Sequence, residues 1–246
     1  MTTDKYIFKI GELSIPYTVT ESTKAKHIRL IIDIEGLRVV KPKQVAFKQV
    51  ESMIHDKSAW IYKHYMPLQS KKTAQYKRKW ETGEKVLYKG EAYPIKISPN
   101  LYNSAVVTFS GDHFEVYTDE KVENRQEEIA NAFRKWYIDA AYKTIEQRVD
   151  DYCKIIGLSY HKIKIKEQKT RWGSCSKKGN LNFNWKLIMA PKDVLDYVIV
   201  HEVCHLRHLN HGAMFWQMVA NYMPNYQKAR KWLKENGVFL SFHISR

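Results

Sequence analysis

The first 118 residues alternate short apolar stretches with charged ones. KHIRLIIDIEGLRVVKP (26–42) predicts two strands joined at Glu35-Gly36, because apolar residues alternate along the first of them. FKQVESMIHDKSAWIYKHY (47–65) instead has apolar residues at helical spacing. Further strands are expected in KVLYKGEAYPIKI, AVVTF and HFEVYT. We therefore expect residues 1–118 to form a β-rich N-terminal region with one helix.

The second half of the chain shows longer helical patterns. Apolar positions three and four residues apart predict a helix over 121–156, which Gly157 ends. The predicted buried stripe of this helix consists of Ile129, Phe133, Trp136, Ala140, Val149, Tyr152 and Ile156. Two short helices separated by Pro224 are expected near the end of the chain.

Two strands and one more helix are predicted between these helical segments. KIKIK (162–166) and LNFNWKLI (181–188) alternate as strands do, and in the second Leu181, Phe183, Trp185 and Leu187 share a face. Pro191 and Asp193 then begin a helix whose buried side consists of Val194, Leu195, Val198 and Ile199. The second half is accordingly α+β.

The charge of the chain is unevenly distributed. Its formal net charge is +15, and residues 151–246 alone hold 16 Lys and Arg against 6 Asp and Glu. This excess favours an anionic partner, such as nucleic acid or a nucleotide, but it is equally compatible with a lysine-rich solubilising surface. The run KKTAQYKRKW (71–80) is typical of a basic linker.

Nothing in the sequence indicates secretion or membrane insertion. The three cysteines form no CxxC pair, and the opening MTTDKYIFKIGEL lacks the apolar segment of a signal peptide. The apolar run YVIV is far too short to span a bilayer. We expect a cytoplasmic protein without membrane association.

Four of the ten histidines lie in VIVHEVCHLRHLNHGAMFW (198–216). HEVCH fits H-E-x-x-H, and on a helix His201 and His205 leave one face a turn apart, so both can reach one ion at about 2.0–2.1 Å. Glu202 can then hold a water at the metal and take its proton. The alternative is a surface helix with two solvated histidines. The preceding VIV indicates a buried helix, in which these polar side chains would be costly without a metal.

A third ligand must come from beyond the helix. His208 follows His201 by a rise of about 10.5 Å on a straight helix, too far to share one ion. Asn210 tolerates the left-handed conformation that ends helices and would return His211 to the metal. The rival acidic ligand, Glu235, lies in a basic helix. We expect His211 to be the ligand and His208 to lie beside the site or at the surface. The H-E-x-x-H-x5-H spacing also matches metzincins, but His208 occupies their glycine position.

The segments TRWGSCSKKGNLNFNWKLIMAP and DYVIVHEVCHLRHLNHGAMFW closely resemble the YgjP-like (DUF45) metal-dependent hydrolases, relatives of the M48 peptidases. The ligand spacing also looks like that of WLM-type and SprT-type proteases. The resemblance implies metal ligands at His201, His205 and His211 and a catalytic base at Glu202. It also implies a zincin-like metallopeptidase domain at 119–246, with a small mixed sheet and the H-E-x-x-H helix.

Substrate contacts are expected beside the metal. An edge strand usually pairs with substrate in such proteases, and strand 181–188 with the Arg171–Cys175 turn is our candidate for it. Arg171, Trp172 and Asn184 are the expected substrate-binding residues. Trp185 is expected in the core, as are Phe215 and Trp216 under the site. Cys175 and Cys204 are interpreted as buried thiols, although Cys175 could instead block the metal. Oxyanion donors stay open among Arg171, His208, Tyr222 and Tyr226.

Three functions compete. The leading hypothesis is a zinc metallopeptidase with one Zn²⁺ per chain, although three imidazoles also hold other divalent metals. The second is a nucleotide or phosphate-ester hydrolase with the same site, against which stand the missing phosphate-binding glycine loop and acidic cluster. The third is a nucleic-acid-associated module with structural zinc, against which stands Glu202 beside an open fourth position.

Overall fold

The structure, a computed structural model, describes residues 5–11, 13–33, 36–75, 79–99, 104–119, 123–168 and 171–240. Its strands are β1 Lys5–Ile10, β2 Leu13–Ser22, β3 Arg29–Asp33, β4 Gly36–Pro42, β5 Lys85–Tyr88, β6 Glu91–Pro99, β7 Val106–Phe109, β8 Phe114–Thr118, β9 Lys162–Lys166, β10 Gly173–Cys175 and β11 Asn180–Asn184. Its α-helices are α1 Phe47–Asp56, α2 Ser58–Gln75, α3 Arg125–Ile156, α4 Lys192–Cys204, α5 Ala213–Tyr222 and α6 Tyr226–Asn236. Short 3-10 helices cover Trp185–Met189 and Gly237–Phe239. The α+β class predicted from the sequence is confirmed.

The chain divides into two compact units, Met1–Arg78 and Lys79–Arg246. The sequence instead placed a boundary between residues 118 and 119, which falls inside the second unit because β5 to β8 share a core with α3. A functional division into a β-rich region of 1–118 and a peptidase domain of 119–246 stays a prediction.

The first unit is a four-stranded sheet with two helices. The strand order is β1-β2-β4-β3, with β2 and β4 parallel and the outer pairs antiparallel. Burial of Ile54 and Ile61 beside Ile15 and Val39 joins the helices to the sheet. Strands in 26–42 are confirmed. The single helix expected over 47–65 is two helices that meet at Lys57, and the second occupies the first half of the predicted basic linker.

The second unit begins with a four-stranded sheet of order β5-β6-β8-β7, on which α3 packs. The contact is largely aromatic, with Phe114 within 5.4 Å of both Phe133 and Trp136, ring centre to ring centre. Tyr137 donates a hydrogen bond of 2.6 Å to the carbonyl of Leu87. Close aromatic pairs of this kind add to the burial of apolar area in fixing the helix on the sheet.

Helix α3 ends at Gly157 in the left-handed conformation, as predicted, but its buried stripe differs in part. Trp136, Ala140 and Tyr152 are only partly buried, and the helix turns other residues inward. The fully buried positions are Ile129, Ala130, Phe133, Tyr137, Ala141, Ile145, Val149, Cys153 and Ile156. Alanine, tyrosine and other apolar residues lie on both the predicted and the observed face, so the packing of the helix decides which face is covered.

A three-stranded mixed sheet, β10-β11-β9, follows α3. β11 is its middle strand, antiparallel to β10 and parallel to β9. The strand predicted over 181–188 stops at Asn184, whose side-chain oxygen accepts a hydrogen bond of 3.2 Å from the Lys186 amide and caps a 3-10 helix. Trp185 in that helix is 2% exposed, which confirms its place in the core. β11 is paired on both sides, so it offers no free edge to a substrate, whereas β10, which contains part of the Arg171–Cys175 turn, is an edge strand.

Helix α4 is buried over most of its length, and an ion pair links it to α3. The Arg148 guanidinium donates to both carboxylate oxygens of Asp196, at 2.8 Å and 2.7 Å. Since Asp196 lies five residues before His201, this bidentate pair fixes the helix that carries the H-E-x-x-H residues. No helix in the described ranges has the length and apolar character needed to cross a membrane.

Candidate metal centre

Three histidines converge at the end of α4. Nε2 of His211 lies 3.0 Å from Nε2 of His201 and 3.1 Å from Nε2 of His205. Helix α4 ends at Cys204, and the backbone amide of Gly212 donates to the carbonyl of Asn210 at 2.9 Å in a three-residue turn centred on His211. This turn returns the third imidazole to the first two.

The route of the chain to His211 differs from the prediction. Asn210 was expected in the left-handed conformation, but the positive-φ non-glycine residues in the described part of the chain are Trp80 and Lys89. The helix ends earlier than expected, at Cys204, and the tight turn at His211 reverses the chain without a left-handed residue. The predicted result, His211 beside His201 and His205, is present although its proposed cause is wrong.

The orientation of His205 is fixed by a backbone contact. Its Nδ1 lies 2.8 Å from the carbonyl oxygen of His208, so Nδ1–H donates and Nε2 keeps its lone pair for the point where the three rings meet. His208 therefore contributes its main chain to the centre. Beneath the rings, Phe215 is fully buried and stacks on His205 at 4.4 Å, which confirms Phe215 as core.

The protonation of the cluster suits a cation. Burial lowers the pKa of His201 to about 3, with further lowering from His205, His211 and the positive charge of Arg230. Burial also lowers the pKa of His205. Neutral imidazoles are the form that coordinates metal. At a tetrahedral zinc with nitrogen ligands at about 2.0–2.1 Å, nitrogens stand roughly 3.3 Å apart, close to the spacing seen here. The donor set fits a divalent metal ion.

Glu202 lies beside the cluster with an oxygen unused. The residue is 5% exposed, and its Oε2 has no hydrogen-bond partner among the described residues. Burial raises its pKa to about 8, and the positive charge of Arg171 opposes that rise. A buried carboxylate oxygen without a protein partner is costly unless a water, an ion or a substrate group meets it.

The RWGSC element reaches the centre through its glycine. A Cβ atom at Gly173 would lie 2.6 Å from both Cγ and Oε1 of Glu202, so the backbone of β10 approaches the carboxylate closely. Cys175 is half-buried, and burial followed by the negative charge of Glu202 raises its pKa to about 11. Its Sγ lies 3.5 Å from the carbonyl oxygen of Ser176. Cys175 is not part of the group of side chains that could hold a metal ion among the described residues, which consists of histidines.

The three expected substrate-binding residues lie in different surroundings. Arg171 is exposed and electrostatically coupled to Glu202, whereas Trp172 is half-buried and lies against Gly237. Asn184 is 2% exposed, and its amide donates to the carbonyls of Gln168 and Arg171, at 2.8 Å and 3.3 Å. Direct substrate contact by Asn184 stays a prediction, which its burial does not favour. Its two hydrogen bonds instead hold the backbone of Gln168 and of Arg171.

Several residues at the centre were missed by sequence reasoning. Tyr197 contacts His201 edge to face at 5.8 Å, and its position one helical turn earlier could have indicated this. Trp216 was expected as buried core but is half-buried and stacks on His211. Arg230 lies over Trp216, and no signal in the lysine-rich sequence of α6 distinguishes it.

A family model described as "YgjP-like, metallopeptidase domain" matches residues 26–236. The chain belongs to the YgjP-like family. This match covers most of the sequence and includes parts of both compact units. Membership supports a metal-dependent hydrolase of the metallopeptidase class.

Other comparisons are more distant. The metallopeptidase zymogen abylysin of Pyrococcus abyssi is 19% identical, with a TM-score of 0.35 over 41% of this chain and 99% of its own. The metallopeptidase zymogen jannalysin of Methanocaldococcus jannaschii is 23% identical, with a TM-score of 0.34 over 37% of this chain and 95% of its own. No curated protein matches the sequence. The family assignment rests on the family model.

Proposed function

We propose that this YgjP-like protein is a zinc-dependent peptidase in which His201, His205 and His211 hold the metal and Glu202 is the catalytic base. One observation carries the proposal: a ring nitrogen of each of the three histidines lies within 4.8 Å of the others, next to the buried Glu202 carboxylate, whose Oε2 has no hydrogen-bond partner in the described part of the chain. When bound, a divalent cation supplies a Lewis acid that polarises the scissile carbonyl and acidifies water.

The residues of the chain divide the remaining work. Oε2 of Glu202 takes a proton from the attacking water and returns it to the leaving amine, because it is the unused acceptor beside the histidines. Glu202 is 5% exposed, so bulk water has little access to its carboxylate. The hydrogen bond from His205 Nδ1 to the His208 carbonyl holds one imidazole in the tautomer needed.

Strand β10 supports the binding of an extended peptide. It is an edge strand of its sheet, and its Gly173 lies against Glu202. A substrate that adds to this edge by main-chain hydrogen bonds would lie beside the strand whose Gly173 contacts the carboxylate. Arg171 lies at the same end of the strand and is proposed to contact that peptide. The location in the cytoplasm stays a prediction.

The phosphate-ester alternative uses the same residues, and the excess of basic residues in 151–246 is the observation that favours it. A direct experiment separates the two. Zinc-loaded protein is given a mixture of quenched fluorescent peptides and, separately, nucleoside triphosphates. We expect peptide cleavage that falls by orders of magnitude in Glu202→Gln, while zinc content is unchanged. Hydrolysis of nucleotides without cleavage of any peptide would overturn the proposal.

A structural zinc site predicts a third result. In that case neither substrate class is turned over, and Glu202→Gln has no effect on any activity. Zinc removal by a chelator would then lower thermal stability alone. A peptidase loses its activity on chelation and regains it when zinc returns.

A further inference from the structure

A stack of flat groups extends from the histidine cluster to α6. The Trp216 ring stacks on His211 with ring centres 5.6 Å apart and planes inclined by 26°. The guanidinium carbon of Arg230 lies 4.9 Å from the centre of the Trp216 ring. Tyr226 also stacks on Trp216, at 5.4 Å. The stack has exposed residues at both ends, His211 and Arg230, so it follows the surface of the site.

Among the described residues, no carboxylate pairs with the positive charge of Arg230. Arg148 and Arg134 pair with Asp196 and Glu167, but no ion pair of Arg230 occurs within the described ranges. A guanidinium held over an indole gives up side-chain freedom before any ligand arrives, so less entropy is lost on binding. Its N–H groups suit a carboxylate, which they can bind by two parallel hydrogen bonds.

Arg230 lies within reach of a substrate bound at the histidines. The centre of the Trp216 ring lies 5.6 Å from the centre of the His211 ring and 4.9 Å from the guanidinium carbon of Arg230. The His211 ring and the guanidinium are therefore no further apart than the sum of these two distances. An extended peptide advances about 3.3 Å per residue, so this distance corresponds to roughly three residues. Because the Trp216 indole lies between His211 and Arg230, the guanidinium lies near the reacting atoms of a bound substrate without contacting them.

We propose that Arg230 binds a carboxylate of the substrate, so that the site prefers peptides with an acidic group within about three residues of the scissile bond. This inference rests on the proposed peptidase function. Two sources offer the same chemistry, the side chain of Asp or Glu and the free carboxyl terminus of a peptide. Arg230 acts in specificity, as a substrate-binding residue separate from the proton transfers of Glu202.

The test compares peptides that differ only in charge. Quenched fluorescent peptides carry Asp or Asn at each of three positions on either side of the cleaved bond, and each is made with a free or an amidated carboxyl terminus. Their kcat/KM values are measured on zinc-loaded wild type, Arg230→Met and Arg230→Lys. Lys228→Met is the matched control, because it removes one exposed charge from the opposite side of α6.

A second arm measures binding without cleavage. The same peptides are titrated, by fluorescence anisotropy, onto zinc-loaded Glu202→Gln with and without Arg230→Met. Within the described residues Arg230 lies over Trp216 and makes no hydrogen bond to the three histidines, so zinc content should be equal in all variants and is checked by elemental mass spectrometry. This arm reports the role of Arg230 even where turnover is slow.

We expect wild type to prefer one acidic set by at least about tenfold, and Arg230→Met to abolish that preference in both kcat/KM and binding. Arg230→Lys should keep part of it, and Lys228→Met all of it. Preference for Asp over Asn identifies a side-chain carboxylate, and preference for the free over the amidated terminus identifies the terminal one.

The inference fails if acidic and neutral peptides behave alike, or if Arg230→Met leaves the preference intact. In that case cleavage of the neutral peptides still supports the peptidase. If no peptide is cleaved, the peptidase proposal fails instead, and the binding arm alone decides whether Arg230 recognises a carboxylate.

Discussion

Gly173 in β10 and Glu202 in α4 are in such close contact that a methyl group at Gly173 would lie 2.6 Å from the Glu202 side chain. Gly173→Ala should therefore displace the carboxylate. We expect kcat/KM for peptides to fall by at least about tenfold, because small misplacements of a catalytic group are costly, while bound zinc is retained. Gly212→Ala is the control, since Gly212 has a φ of −75° and open space around its Cβ position. Full activity in Gly173→Ala would show that Glu202 moves without consequence.

Metal content should distinguish His211 from His208. His211→Ala removes one of the three converging Nε2 atoms, and we expect zinc affinity to fall by more than about 100-fold. His208→Ala should retain zinc, because His205 uses the backbone carbonyl of His208 and not its imidazole. Elemental mass spectrometry and competition with a chelator measure both. Loss of zinc from His208→Ala alone would replace His211 with His208 in the ligand set.

The link between α3 and α4 should be important for stability. Arg148→Met leaves the Asp196 carboxylate, 9% exposed, without its bidentate partner. We expect the free energy of unfolding to fall by about 2–4 kcal/mol in urea titrations, because an unpaired buried charge remains. Arg134→Met breaks an exposed pair with Glu167 and should cost at most about 1 kcal/mol. Equal losses in the two variants would contradict this account of Asp196.

Stability should depend on pH through His113. Its Nδ1 lies 2.6 Å from Asp112 and its Nε2 2.9 Å from Glu115. The hydrogen bond to Glu115, then that to Asp112, raises the pKa of His113 above 6.5, and the same bonds lower the pKa of Asp112 and of Glu115. The histidine contribution is complete below its unfolded-state pKa and is lost as pH rises through the folded value. The carboxylate contributions are complete above the unfolded-state pKa and are lost as pH falls through the folded values.

Taken together, these two pH dependences mean that the hydrogen bonds of His113 with Asp112 and Glu115 stabilise the protein most between about pH 4.5 and 6.5. The melting temperature of His113→Asn should therefore fall furthest below that of wild type in this window, and the difference should shrink at pH 8. His161→Asn is the control, because no ion pair of His161 occurs in the described residues. A difference that does not change with pH would show that His113 acts through packing alone.

Local pattern accounted for much of the fold and for the identity of the histidine cluster. Gly157 ends α3 because only a residue without Cβ adopts its φ of 72° at little cost, and this signal is local. The stop of β11 at Asn184 was missed because it depends on side-chain hydrogen bonds of Asn184, which donates to the carbonyls of Gln168 and Arg171 and accepts from the Lys186 amide, and the alternation of apolar residues does not show such bonds. The buried stripe of α3 was partly missed since its position depends on what covers it.

The sequence by itself determined the residue types and spacing of the centre: His201 and His205 one turn apart, Glu202 between them, and His211 within a short loop. On a helix, this spacing determines on which face the side chains lie, so these conclusions did not depend on contacts between distant parts of the chain. Only the tertiary structure decided that Gly173 lies against Glu202, that the His208 carbonyl orients His205, and that Arg230 lies over Trp216. The first and last of these join separate elements, and their meeting depends on how the elements pack; the His205–His208 contact is local but depends on the turn that follows α4, which the spacing of the histidines does not specify.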